Sequence, residues 1–339
     1  MRILIRPRLP VLALLLLAPS IPELLTGSTP VSNIVWNPAG FLVGFPLDIA
    51  LYGAGALLIR EFAVAYHKGW GSILLLGAAY GVAEEGFEIH TFFQPSGSPV
   101  DALGSYGHLF GVDWLWALGL MLFHATYSIA LPILLTQLWF PGVKDARWLD
   151  RGAIEFLATL FVLEVVGFGF VVGHGPSLPV LAFFVAVVVA LMALAAWLPE
   201  NALRPRPGPR RIGPYALAAL GSVEYGVWVT VLAISNSQAI PAVGAGLLLV
   251  LANAGVLVLL LRRVGTIDFE RSEFLFAVGM LSALFVWDIL IEFVLVPGIL
   301  GVTAVFVYLL YRLDRTLKRR SLPATVSAGT WGSPPAGSA

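Results

Sequence analysis

Two adjacent glutamates, Glu84 and Glu85, lie near the end of an apolar run, with Glu88 one turn on and His90 just after. The next apolar run carries His124, with Ser128 one turn beyond it. Carboxylates and imidazoles are the groups best suited to moving protons near neutral pH. Two carboxylates and an imidazole are also a ligand set for Zn²⁺ or Mn²⁺. Glu84, Glu85 and His124 are therefore the catalytic candidates and, equally, the candidate ligands of a divalent metal ion. Further carboxylates interrupt other apolar runs, at Glu164, Glu224, Asp288 and Glu292, with Asn253 in another and Glu23 and Asp48 near two run ends. As a proton or cation site, the set to consider is Glu84, Glu85, Glu88, His124, Glu164, Glu224, Asp288 and Glu292. The pairs Glu84/Glu88, His124/Ser128 and Asp288/Glu292 are spaced so that each shares one helix face.

These residues are informative because of what surrounds them. Of the 339 residues, 58% are hydrophobic and 12% charged, whereas a soluble domain carries roughly 25% charged residues. Such a chain is an integral membrane protein, and ionisable groups within a bilayer are costly enough to mark function. A formal net charge of zero argues against a nucleic-acid partner. The absence of cysteine removes disulfides, thiolate metal sites and a cysteine nucleophile. No Gly-x-x-x-x-Gly-Lys loop or Gly-x-Ser-x-Gly elbow occurs, so neither a nucleotide-driven pump nor a serine hydrolase is indicated.

A membrane-crossing helix needs about 20 mostly apolar residues. The apolar segments are 9–26, 42–64, 71–90, 113–139, 153–172, 178–198, 214–234, 239–261, 273–293 and 296–312. The expected fold is an all-α polytopic bundle of about ten transmembrane helices. With the N-terminus in the cytoplasm, the cytoplasmic side holds Arg2, Arg6 and Arg8, then Arg60 and Lys68, then Lys144, Arg147 and Arg151. Arg204, Arg206, Arg210 and Arg211 follow, then Arg262, Arg263 and Arg271, and finally Arg312, Arg315, Lys318, Arg319 and Arg320. These are all 20 of the chain's lysines and arginines, so the positive-inside rule supports the helix count and the cytoplasmic placement of both ends; a plasma (inner) membrane is the expected location.

The organisation expected is helices one to six over 1–198, a Pro/Arg-rich cytoplasmic linker over 199–214, helices seven to ten over 215–320 and a disordered tail over 321–339. The first run imitates a signal peptide, but Pro19 and Pro22 make a poor cleavage context, so a retained helix is expected. The polar stretches 27–41 and 91–112 hold Trp36, Phe92, Phe93, Tyr106 and Phe110, either as interfacial anchors or as a lid. Glu61 beside Arg60 reads as a solvated pair, and His108 and His174 as ordinary loop residues.

Helices three and four are consecutive and antiparallel, so Glu84, Glu85 and His124 reach similar depth. No Lys or Arg falls in the outer half of the bilayer. The carboxylates there need a proton, a hydrogen-bond donor, a metal ion, a cationic substrate or histidine as partner.

The run Ala83-Glu84-Glu85-Gly86-Phe87, followed in the next span by His124 and Ser128, resembles the CPBP-type (CAAX-processing and bacteriocin-processing) glutamate intramembrane proteases. Their pattern is Glu-Glu-x-x-x-Arg, then Phe-x-x-x-His, then His-x-x-x-Asn. Ile89 stands where that pattern has Arg, Leu120 where it has Phe, and no second intramembrane histidine is found. The resemblance implies that Glu84, Glu85 and His124 activate water against a peptide bond.

Three readings stand on the sequence. The foremost is a cation- or proton-coupled transporter-like protein; the others are an intramembrane glutamate/histidine hydrolase and a non-catalytic scaffold. The partners are the lipid bilayer and a small solute, cation or membrane peptide, with no nucleic acid.

Overall fold

The computed structural model describes residues 8–93, 103, 106–173, 175–203, 212–237, 239–263 and 269–321. Arg2, Arg6, His174, the four arginines of the linker and the tail beyond 321 lie outside the described residues. Helix α1 (Arg8–Pro19) continues as a π-helical stretch, Ser20–Leu24, and is followed by a single helical turn, Asn33–Trp36. Helix α2 is Pro38–Ala65. Helix α3 (Trp70–Val82) continues as a π-helical stretch, Ala83–Glu88. Then come α4 (Trp114–Trp139), α5 (Arg151–Val172) and α6 (Leu178–Trp197). The second half holds α7 (Pro214–Ser237), α8 (Ala242–Arg263), α9 (Phe269–Ile291) and α10 (Ile299–Ser321).

In hydrocarbon every backbone N–H and C=O must bond within its own segment, which forces apolar runs into helices. Seven helices, α2 and α4 to α9, are long and apolar enough to cross a membrane. The other three expected spans are also helical but fall short of that. The regular part of α1 has 12 residues, α3 ends in glutamates, and the second half of α10 is charged. Side chains such as Phe170, Leu178 and Trp197 face outward, into lipid.

Beside the helices, the described residues hold one small hairpin. Within 91–112, strand β1 (His108–Leu109) pairs antiparallel with β2 (Val112–Asp113). Phe110 at φ 56° and Gly111 at φ 77° form the two-residue turn that this twist favours. Asp113 then caps α4, accepting from Trp116 N at 2.9 Å, and burial pushes its carboxyl pKa up against that bond.

Helix α4 is the centre of the molecule. Its apolar window is 67% buried, against 11% for α5, α6 and α8. One of its faces joins a core with α1, α2 and α3, through Ile129, Ile133, Leu57 and Tyr80. Another joins a core with α7 and α9, through Tyr127, Leu131, Trp228 and Leu284.

The helix ends bearing lysine and arginine are knit together. Lys68 Nζ donates to Leu198 O at 3.0 Å, and Arg320 Nη1 donates to Leu138 O at 2.9 Å. Arg271 and Lys318 both hold Asp314. Burial raises that carboxyl's pKa, but the hydrogen bonds and positive charges of Lys318 and Arg271 together keep it below the usual range.

Arg60 and Glu61 are not a solvated pair: they are 0% and 2% exposed. Arg60 pairs with Glu61, donates to Lys144 O at 2.6 Å and lies 3.6 Å from the Trp148 ring centroid. Glu61 accepts from Trp148 N at 3.0 Å and from Leu149 N at 3.4 Å. A charge pair tolerates burial better when its other donors and acceptors find partners, and here all but Arg60 Nε do so.

Candidate functional site

Glycine sets the distance between α3 and α4. A Cβ on Gly77 would stand 2.7 Å from Ala125 Cα, and one on Gly81 would stand 3.0 Å from His124 Cβ. Small residues four apart let two membrane helices approach this closely. Both helices then change winding at the same level, into π-helical stretches over Ala83–Glu88 and His124–Ala130. The wider turn displaces side chains from the regular helix register, and such stretches recur at functional sites.

The side chains converge there. His124 Nε2 lies 3.1 Å from Glu85 Oε1, and His124 Nδ1 lies 2.9 Å from Ser128 Oγ and 3.3 Å from Glu84 Oε2. The imidazole thus sits between two carboxylates. One ligand atom from each of Glu84, Glu85 and His124 falls within 4.8 Å of the others, close enough for all three to hold one metal ion. All three residues are buried, at 4%, 7% and 2% exposure. Glu84 Oε2 makes no hydrogen bond despite its proximity to the imidazole. It is an acceptor without a donor, in surroundings where that is costly.

A second tier holds these groups in place. Tyr52 of α2 donates to Glu84 Oε1 and lies 2.6 Å from Glu23 Oε1. Thr29 Oγ1 reaches Glu23 Oε2 at 2.8 Å and Asp48 Oδ2 at 3.2 Å. Thr91 donates to Glu85 Oε2 and accepts from Trp116 Nε1 at 3.2 Å. The Tyr80 and Tyr52 rings pack on the imidazole at 5.8 Å and 6.2 Å between centroids. Glu88 and Glu164 are buried, each with an unbonded Oε2, and Glu88 stands within electrostatic reach of Glu164, Glu85, Asp48 and Glu23.

The remaining candidates lie elsewhere. Glu224 of α7 accepts from Thr126 Oγ1 at 2.8 Å, on a different face of α4. Asp288 is fully buried and bonded to Thr303 of α10. Glu292 does not share a face with it in function. It lies past the end of α9 and caps α10, accepting from Gly298 N and Leu300 N at 2.9 Å each. The Leu300 and Gly298 amides hold that carboxyl below its ordinary pKa. His90 follows the end of α3 at φ 59°, and burial lowers its pKa.

Tyr52, Tyr80, Thr91 and Thr29 are site residues that sequence reasoning passed over. Two carried a signal: Tyr52 follows Asp48 by four residues and Tyr80 precedes Glu84 by four, so each shares its carboxylate's face.

A family model described as an uncharacterized membrane protein family matches residues 12–329. No curated protein and no solved structure matches the chain.

Proposed function

The chain belongs to that membrane protein family, and from this footing we propose that it is an intramembrane hydrolase whose Glu84, Glu85 and His124 activate water against a peptide bond. The observation that carries the reading is the convergence of these three groups, with one carboxylate oxygen of Glu84 left without a hydrogen bond. Glu224, Asp288 and Glu292 bond elsewhere, which weighs against one acidic cavity shared by both halves. The reading agrees with the resemblance to CPBP-type proteases at Glu84, Glu85 and His124.

In this mechanism a water molecule sits against the unbonded Glu84 oxygen. Glu84 takes its proton as the water oxygen attacks the carbonyl carbon of a membrane peptide. His124, held by Glu85 at Nε2, exchanges its Nδ1 contact with Ser128 for a hydrogen bond donated to the developing oxyanion. The carbon–nitrogen bond then breaks, and the proton held by Glu84 passes to the leaving amine. The donor set also suits Zn²⁺ or Mn²⁺, which would lower the pKa of a bound water and supply Lewis acidity. Burial of all three groups means that substrate enters only when the π-wound stretches of α1 to α4 part.

The same reading places ten spans in a plasma (inner) membrane with both termini cytoplasmic. The support is that lysines and arginines reach from one helix end to another, Arg60 to Lys144 O, Lys68 to Leu198 O and Arg320 to Leu138 O. Fluorescent single-span peptides in proteoliposomes test the activity. Cleavage by the wild type, lost in Glu85→Gln and His124→Ala proteins that melt normally, is the expected result. Unchanged turnover in either variant sinks the hydrolase.

A proton- or cation-coupled transporter is the second reading. The chain of Glu23, Asp48, Glu88 and Glu164 around the site favours it. Solute-driven proton uptake in liposomes, indifferent to Glu84→Gln and Glu85→Gln, would count against it.

A further inference from the structure

Between α3, α4, α7, α8 and α9 lies a cavity of about 490 Å³, within the size range of small-molecule sites. It is not the site described above. Helix α4 separates the two, with His124 turned to Glu85 and Ala125 and Thr126 turned to the cavity. The walls are apolar side chains from all five helices, Ala78, Leu122, Leu257 and Phe276 among them.

The cavity's polar groups stand at two levels. Ser272 and Glu273 lie one turn into α9, at the basic end of the bundle, and Lys144 is within electrostatic reach of Glu273. Glu224, Thr126 and Asn253 lie deeper. Glu224 is ten residues along α7 from Pro214, roughly 15 Å at the usual helical rise. Among the described residues, the Glu224 carboxyl is bonded only by Thr126. The Asn253 amide nitrogen donates to Leu249 O at 2.9 Å, which leaves its oxygen as an acceptor. Among the described residues, no lysine, arginine or histidine lines the cavity. The deep level therefore offers a carboxylate and an amide oxygen inside apolar walls, with no positive charge to match.

A neutral lipid tail would fill these walls but leave Glu224 in hydrocarbon with only the Thr126 hydroxyl to bond it, a costly arrangement for a carboxylate. An anionic amphipath would set like charges together. A cation carrying its own apolar surface satisfies both walls and carboxylate. We propose that this cavity binds a lipophilic organic cation, its charge against Glu224 and its hydrocarbon against the apolar faces of α3, α4, α8 and α9. This site is independent of the hydrolase reading, since it shares no residue with Glu84, Glu85 or His124.

The test is equilibrium binding to the full-length protein in nanodiscs of zwitterionic lipid, against empty nanodiscs. The probes are tetraphenylphosphonium and the neutral triphenylphosphine oxide. Saturable phosphonium binding at least about tenfold tighter than the neutral probe is expected, a difference of ~1.4 kcal/mol. Glu224→Gln should bring the phosphonium down to the neutral level, Ala78→Phe should weaken both by filling the cavity, and Glu84→Gln should change neither. Wild-type protein that binds both probes equally, or binds neither above empty nanodiscs, overturns the proposal without reference to any variant. Phosphonium binding kept in Glu224→Gln but lost in Glu84→Gln overturns it as well, by moving the cation to the other site.

Discussion

The two halves of the molecule bring helices together by the same device and do different things with it. In the first half Gly77 and Gly81 press α3 onto α4. In the second, a Cβ on Gly221 would stand 2.8 Å from Met280 N, and one on Gly279 would stand 2.7 Å from Ala218 Cα, so α7 and α9 touch as closely. Helices α7 and α9 stay regular throughout and leave their carboxylates apart, one toward Thr126 and one toward Thr303. Helices α1 to α4 each pass into a π-helical stretch at the level of the carboxylates, over Ser20–Leu24, Ile49–Gly53, Ala83–Glu88 and His124–Ala130. Close packing alone thus joins helices, whereas close packing with altered winding turns polar side chains toward one another.

The largest effect expected from this contrast is on chemistry. Glu84→Gln should lower peptide cleavage by about 10²–10⁴-fold, the range for removing an acid–base group, while Asp288→Asn leaves it within about twofold. Equal losses in the two, measured as initial rates in proteoliposomes, would break the division between halves. Next comes packing. Gly77→Leu should destabilise the protein by about 1–3 kcal/mol through overpacking, whereas Gly226→Leu in α7, with nothing within 4 Å of its added Cβ, should stay within about 0.5 kcal/mol. Unfolding in mixed micelles reads both.

A smaller effect separates the hydrogen bonds of the two regions. Tyr52→Phe and Thr303→Val each remove a hydroxyl bonded to a buried carboxylate, and each should cost about 1 kcal/mol or somewhat more. Only Tyr52→Phe should also slow cleavage; an equal slowing in Thr303→Val would remove the distinction. The smallest effect is at Glu292, whose carboxyl is held below the ordinary value of 4.5 by the Leu300 and Gly298 amides. A depressed folded-state pKa adds stability above the unfolded value, lost as pH falls through the folded one. The melting-temperature gap between wild type and Glu292→Gln should therefore be full at neutral pH and close in acid. A gap that widens in acid would show that the amides do not favour the charged form.

Much of this was readable from the chain itself. Long apolar runs bounded by arginine and lysine fix where helices lie, because hydrocarbon leaves the backbone no other choice. The meeting of Glu84, Glu85 and His124 followed from two consecutive antiparallel helices. The π-helical stretches were not readable, since a change of winding leaves no mark on hydrophobicity. Their only traces are Pro19, Pro22, Pro46 and Pro132, each of which removes a hydrogen-bond donor near such a stretch. Arg60 and Glu61 were misread because neighbouring opposite charges at a helix end look the same whether they face water or a later loop. Asp288 and Glu292 share a helical spacing, yet the chain leaves the helix between them, which spacing alone does not reveal.

The buried Arg60–Glu61 pair also bears on the order in which the chain is assembled. The two charges cancel on one turn of α2, so that turn carries no net charge. Its other partners, the carbonyls of Val143 and Lys144 and the amides of Trp148 and Leu149, lie 83 to 88 residues further along the chain. Until α3 and α4 have been made and turned back, those partners do not exist. The pair is a latch that closes only after the helices carrying Glu84, Glu85 and His124 are threaded between its two sides, so its closure reports that the site has been enclosed.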